Sequence, residues 1–209
     1  MVFMDYAANF WQANRLLAQA CLQHPFVQGL ATGQLSVERF ADYIGQDSFF
    51  LQSFARAYSL AAAKAPNWAS VCTFHQLAGG VIQELQLHQA FAADWQVDLN
   101  VVQPNPATQR YTDFLQLTAW SSDLGTLAAA MAPCMRLYAY LGQNLASTQA
   151  ASQRYSAWIE TYSSNEFEAL VRQLEQLVNQ HSYNLASAAQ AYRYAMQCEY
   201  DFFEAVWSN

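Results

Sequence analysis

The sequence predicts an all-α fold, and three observations carry that prediction. Seven glycines and five prolines in 209 residues are too few to punctuate the strand ends of an all-β or α/β chain. Apolar residues recur at spacings of three and four rather than two, which is the period of a helix face. The periodic segments are also much longer than strands. Helices are expected over residues 5–22, 36–65, 70–95, 107–121, 123–146, 151–162, 165–181 and 185–207.

Local chemistry supports these boundaries in turn. His24-Pro25-Phe26 reads as a turn after the first helix, because a residue before proline is driven out of the helical region. Ser36 can cap the second helix with Glu38 in its first turn. Pro66 ends that helix just after Lys64, a cation suited to the negative C-terminal dipole. Gln103-Pro104-Asn105-Pro106 cannot continue a helix and marks the longest loop. Ser122-Asp123 offers an N-cap for the helix that follows. No Gly/Ser-rich linker, internal repeat or low-complexity tract interrupts the chain, so one all-helical domain over 1–209 is expected.

Composition bounds the function. Nine Lys plus Arg against sixteen Asp plus Glu give a formal net charge of −7, and the only lysine is Lys64. No basic stripe exists to neutralise a phosphate backbone, which argues against nucleic-acid binding. Only 12% of residues are charged while 54% are hydrophobic, so much of the surface is neutral or buried against a partner subunit. An oligomer is the expectation. Cys21, Cys72, Cys134 and Cys198 are widely spaced with no CxxC pair, which disfavours disulfide frameworks and thiolate zinc sites and suits the cytosol. The first residues carry no secretory signature and no 18-residue apolar run occurs, so neither a targeting signal nor a membrane span is expected.

The most informative residues are polar members of apolar stripes. In the second helix Phe40, Ile44, Asp47, Leu51, Phe54 and Tyr58 share one face, so Asp47 points toward the core. In the last helix Glu199 stands in the stripe Tyr192, Met196, Glu199, Phe203, Val206. Glu84 and His88 sit at or beside a third stripe that runs from Phe74 to Trp95. A buried carboxylate persists only if it is paired, hydrogen-bonded or aimed at a polar cavity. Tyr58, Tyr111, Tyr162 and Tyr192 are candidate hydrogen-bond donors to these acids.

The fifth helix adds a thiol. Leu124, Leu127, Met131, Cys134, Tyr138, Leu141 and Leu145 form its buried stripe, placing Cys134 one turn from Tyr138. Buried cysteines are mostly inert packing. Pro133, however, precedes this one inside the helix, where proline removes a backbone hydrogen bond and opens space beside the thiol. A nucleophilic thiol needs a base or a positive field, and no histidine is an obvious partner. An inward glutamate is therefore the candidate base. Tyr111, Tyr138, Tyr162, Phe50, Phe202 and Phe203 fall on or next to inward faces and could stack a planar heterocycle, although such stripes are more often plain core.

With these residues in view, the sequence resembles the TenA family (thiaminase II, or aminopyrimidine aminohydrolase). The resemblance is carried by HPFVQGLATGQL (24–35), RFADYIGQDSFFL (39–51), ELQLH (84–88), QPNPATQRYTDFL (103–115), APCMRLYAYLG (132–142), WIETYSSNEF (158–167) and CEYDFFEAVW (198–207). It implies a haem-oxygenase-like helical bundle without haem, no cofactor and no metal, and assembly as a homotetramer. It further implies hydrolysis at the methylene of a 4-amino-2-methylpyrimidine, with an aminopyrimidine or thiamin as substrate and hydroxymethylpyrimidine as product.

Residue by residue, the resemblance makes Cys134 the nucleophile, Glu199 the acid/base, and Asp47 the partner of the amidine-like ring edge. Tyr138 and Tyr162 would orient the thiol and the water, and Tyr111, Phe50 and Phe202 would contact the substrate. Glu84 and His88 match positions expected to be structural. Phe50 stands where some members have tyrosine, and Met135-Arg136 where bulky aromatics are frequent, departures that bear on substrate preference.

Two alternatives belong to the same reading. A metal-dependent oxidase would use Glu84, His88, Asp47 and Glu199, but carboxylate-bridged iron sites need roughly six ligands including Glu-x-x-His pairs, which this sequence lacks. The other is a non-catalytic pyrimidine-binding or regulatory protein.

Overall fold

The computed structural model describes residues 4–94, 99, 102–147 and 153–208. Those residues form ten α-helices and one short 3-10 turn. In chain order they are α1 (Tyr6–Ala13), α2 (Arg15–Gln23), α3 (Pro25–Thr32), α4 (Val37–Lys64), α5 (Trp68–Asp94), α6 (Pro106–Ser121), α7 (Leu124–Ser147), α8 (Ser156–Ser163), α9 (Asn165–His181) and α10 (Leu185–Ser208), with the 3-10 turn at Gln153–Tyr155 before α8. Trp95 and residues 151–152, included in two of the expected helices, lie outside the described residues.

The long helices agree with expectation, and three shorter segments differ. The helix expected over 151–162 is α-helical only from Ser156, after the 3-10 turn at Gln153–Tyr155. The helix expected over 5–22 is broken at Asn14, whose side-chain amide donates to the Phe10 carbonyl at 2.8 Å, competing with the helical ladder. Residues 25–32 form α3, where the sequence predicts only a turn at His24-Pro25-Phe26 and no helix. Pro25 occupies its first position, His24 Nδ1 accepts from the Phe26 amide, and Gly33 ends it at φ 70°.

The caps are the predicted ones. Ser36 accepts from the Arg39 amide, and Asp123 accepts from both the amide and the hydroxyl of Thr126. Lys64 differs in detail: rather than its own helix end, its ammonium reaches the carbonyls of Trp120 and Ser122 at the C-terminus of α6.

Helix α7 is the axis of the bundle, packed by α8, α9 and α10, while α4 pairs with α5 and α6. Leu127 through Ala132, Leu137, Ala139 and Leu141 of α7 are all buried. Small residues let its neighbours approach closely. A Cβ on Gly142 would lie 2.6 Å from the Tyr162 carbonyl carbon, so glycine at this position sets how near α8 sits. Between α7 and α9, Arg136 bonds Glu175 at 2.7 Å and Glu168 at 3.0 Å. Arg136, expected to bear on substrate preference, is thereby directed at α9.

The Pro-rich loop is fastened beside Asp47. Gln46 Nε2 donates to the Gln103 carbonyl, and the Asn105 amide donates to Gln46 Oε1. Asn105 then caps α6 through the amides of Ala107 and Thr108, fixing the helix that carries Tyr111.

Candidate active site

Four helices bring the expected polar residues to one place. Asp47 from α4, Glu84 from α5, Cys134 and Tyr138 from α7, and Tyr162 from α8 line a small inner pocket, closed by Leu51, Phe54, Met135 and Phe167. Its free volume is about 10 Å³. Glu84, Met135 and Phe167 also belong to a more open outer chamber of about 370 Å³, lined further by Leu77, Gly80, Val81, Thr161, Ser164, Glu166 and Leu170.

Behind the inner wall lies a third acid, Glu199. The Tyr111 hydroxyl donates to Glu199 at 2.7 Å, and both residues are buried. Phe50 packs on Tyr111 with ring centroids 4.7 Å apart, and on Phe202 at 6.4 Å. Glu199, Tyr111, Phe50 and Phe202 thus adjoin the inner pocket but do not line it. Tyr138 and Tyr162 pack edge to face at 4.8 Å.

Of the four tyrosines read as donors to buried acids, two fill that role. Tyr111 serves Glu199, and Tyr162 donates to Glu84. The Tyr58 hydroxyl has no hydrogen-bond partner among the described residues, and Tyr192 packs against Phe10. Tyr43, not singled out from sequence, accepts from Trp158 Nε1 at 3.2 Å and donates to Tyr138 at 3.3 Å. With its oxygen already accepting, Tyr138 is free to direct its own proton into the pocket. The signal was available, since Tyr43 lies one turn before Asp47 on α4.

The electrostatics follow from acids gathered with no cation beside them among the described residues. Burial raises the Glu84 carboxyl to about 7 despite the bond from Tyr162, and Glu199 to about 8 despite the bond from Tyr111. Asp47 is also raised, by burial first and then by Glu84 and Glu199. Burial and the same three carboxylates push the half-buried Cys134 thiol well above its ordinary value. The resting residue is a protonated thiol beside acids that hold their protons more tightly than usual. Burial likewise holds Tyr138 and Tyr162 neutral.

Two histidines make structural contacts. His24 bridges α3 to Glu204, and His181 meets the Ser70 hydroxyl at 3.0 Å. The His88 side chain lies outside the described residues. Among those described, no group of three or more His, Cys, Asp or Glu is arranged to hold a metal ion.

A helical bundle whose core encloses a thiol and several carboxylates defines a class of small-molecule pocket, and the solved structures agree on the fold. A TenA family transcription regulator from Silicibacter sp. TM1040 superposes with a TM-score of 0.91 at 25% identity, over 99% of this chain and 98% of that one. Haem oxygenase-1 from Synechocystis superposes at 0.68 and 17% identity, over 99% and 94%. The fold is therefore haem-oxygenase-like.

The chain belongs to the TENA/THI-4/PQQC family, whose profile matches residues 11–209. It is 30% identical to an aminopyrimidine aminohydrolase of Halalkalibacterium halodurans, over 90% of this chain and 87% of that protein. It is 31% identical to another of that name from Helicobacter pylori, over 90% and 88%. The mitochondrial bifunctional TH2 protein of Arabidopsis thaliana is 36% identical over 87% of this chain, which spans 34% of its length.

Proposed function

We propose that this protein is a thiamin-salvage hydrolase that replaces the leaving group on the methylene of a 4-amino-2-methylpyrimidine by water. The observation that carries the reading is the meeting of Cys134, Asp47, Tyr138 and Tyr162 in one pocket, with the Glu199–Tyr111 pair behind the thiol. Its relatives named aminopyrimidine aminohydrolase support the reaction class.

The chemistry follows from the protonation states. Asp47 binds the amidine-like edge of the ring. The Cys134 sulfur adds to a ring carbon while its proton is passed, through Glu199, to a ring nitrogen, so that thiol adds across a C=N bond with no net charge created. Electrons returned from the ring expel the group on the methylene. Water adds there, and elimination restores the thiol and the aromatic ring. A weakly acidic Cys134 suits this order, because the proton it loses is the proton the ring must gain.

Other features join the reading. Four free cysteines support a reducing compartment such as the cytosol. Among the described residues no helix is long and apolar enough to cross a membrane. Leu117 and Trp120 on α6 are about two-thirds exposed, at 67% and 70%, and support self-association as a homotetramer. Light scattering of the purified protein checks that assembly.

The decisive experiment is ammonia release from 4-amino-5-aminomethyl-2-methylpyrimidine by the unaltered protein and by Cys134→Ala. Turnover is expected from the first and loss of at least a thousandfold from the second. Undiminished activity in Cys134→Ala refutes the nucleophile.

A further inference from the structure

Glu84 occupies a position that the proposed cysteine chemistry leaves unexplained. It lines the inner pocket with Asp47 and Cys134, and it also lines the outer chamber, where neither of those residues is found. Only Met135 and Phe167, both apolar, share that double membership. Its carboxylate accepts the Tyr162 hydroxyl, which fixes one oxygen and leaves further acceptor capacity. Among the described residues, the titratable groups around it are Tyr43, Asp47 and Tyr58 of α4, Cys134 of α7 and Tyr162 of α8, with Glu166 of α9 also lining the outer chamber, and none of these is a cation. The described ion pairs lie elsewhere, on Arg110, Arg136, Arg172 and His24.

Because Glu84, Met135 and Phe167 line both spaces, they mark where the inner pocket adjoins the outer chamber. For a ring held between Asp47 and Cys134, the chamber of about 370 Å³ is the larger adjoining space for a substituent on the methylene, and Glu84 stands at the junction. An alkylamine substituent is an ammonium at neutral pH, carrying three N–H donors. A desolvated carboxylate with no paired cation among the described residues is a matching acceptor.

The geometry points to Glu84 as the residue that recognises a primary ammonium on the substrate's methylene and so selects the amine over neutral analogues of the same ring. This rests on the hydrolase reading above and assigns Glu84 a specificity role distinct from the Cys134 and Glu199 chemistry. The hydroxymethyl product lacks the charge, so the pocket's preference falls as the reaction proceeds. That loss of the ion pair favours release into the outer chamber.

The test compares two ligands that differ only at this group, the aminomethyl pyrimidine as substrate and the hydroxymethyl pyrimidine as inhibitor. In Glu84→Gln, KM for the amine is expected to rise at least 30-fold while the inhibition constant of the alcohol stays within threefold. Glu84→Asp, which keeps the charge on a shorter stem, should recover part of the loss. Equal changes for both ligands in Glu84→Gln would mean that Glu84 only shapes the pocket, and overturn the assignment. The unaltered protein gives an independent check, since it must bind the amine at least tenfold more tightly than the alcohol. Equal affinities there overturn the assignment whether or not the variants fold. If the unaltered protein neither hydrolyses the amine nor binds either pyrimidine, the hydrolase reading itself fails, and this assignment with it.

Discussion

Tyr111 on α6 donates a 2.7 Å hydrogen bond to Glu199 on α10, two buried residues 88 positions apart in sequence. That bond opposes the effect of burial, which alone would lift the Glu199 carboxyl above its value of about 8. If Glu199 delivers a proton to the ring, kcat/KM falls as pH rises through this value. Tyr111→Phe removes the opposing bond, so the alkaline limb should move to higher pH while kcat drops about tenfold. A limb that stays in place or moves down would show that Glu199 is not the titrating acid.

The pocket acids make stability depend on pH in an unusual direction. Glu84 and Glu199 titrate near 7 and 8 in the folded chain against 4.5 when unperturbed, and Asp47 is raised as well. Between about pH 4.5 and 8 the folded state therefore holds more protons than the unfolded one. Linkage makes stability fall as pH rises across that window, by on the order of a few kcal/mol per group. Thermal melts should give a higher Tm at pH 5.5 than at pH 8.5. Glu199→Gln, uncharged throughout, should flatten the dependence; an unchanged slope would remove Glu199 from the account.

Gly142 is where α7 and α8 nearly touch. A methyl group there would meet the Tyr162 carbonyl carbon at 2.6 Å, so the backbone of α8 has to move. Gly142→Ala should cost about 1–3 kcal/mol by denaturant unfolding, as overpacking does. It should also reduce turnover by displacing Tyr162. Full activity at unchanged stability would mean that the two helices separate without consequence.

Arg136 links α7 to two acids on α9, Glu168 and Glu175, with side chains only 16–22% exposed. Arg136→Met leaves Glu175 without its cation and Glu168 with only the exposed Arg172, and should destabilise the chain by about 2–4 kcal/mol at pH 7. The loss should shrink near pH 4, where the acids become protonated. Chemical denaturation at the two pH values checks both parts.

Much of this was legible locally. Ser36, Asp123 and the Pro-rich loop fixed helix ends because caps and prolines act within a turn or two of the backbone they control. Asp47, Cys134 and Glu199 stood out because helical periodicity decides which way a side chain points. Glu84 was harder to read: at the edge of its stripe it could equally have faced solvent, and it is drawn in by Tyr162, 78 residues away on α8. Phe50 and Phe202 share an inward face with the pocket residues, yet they sit a layer behind it. Periodicity gives a direction and not a depth. The break at Asn14 and the helix over 25–32 turned on competition between local signals, which tertiary packing resolves.

Lys64 is the only lysine in the chain, and its ammonium is held at 3.2 and 2.9 Å by the carbonyls of Trp120 and Ser122. It lies seventeen residues beyond Asp47 on the same helix, about 25 Å along the axis at 1.5 Å per residue. Apart from the terminal amine, reagents that acylate or crosslink ε-amines meet one target, at the corner where α4 ends against α6. A label or surface tether attached through that nitrogen gives molecules of uniform orientation, with the thiol pocket well away from the point of attachment.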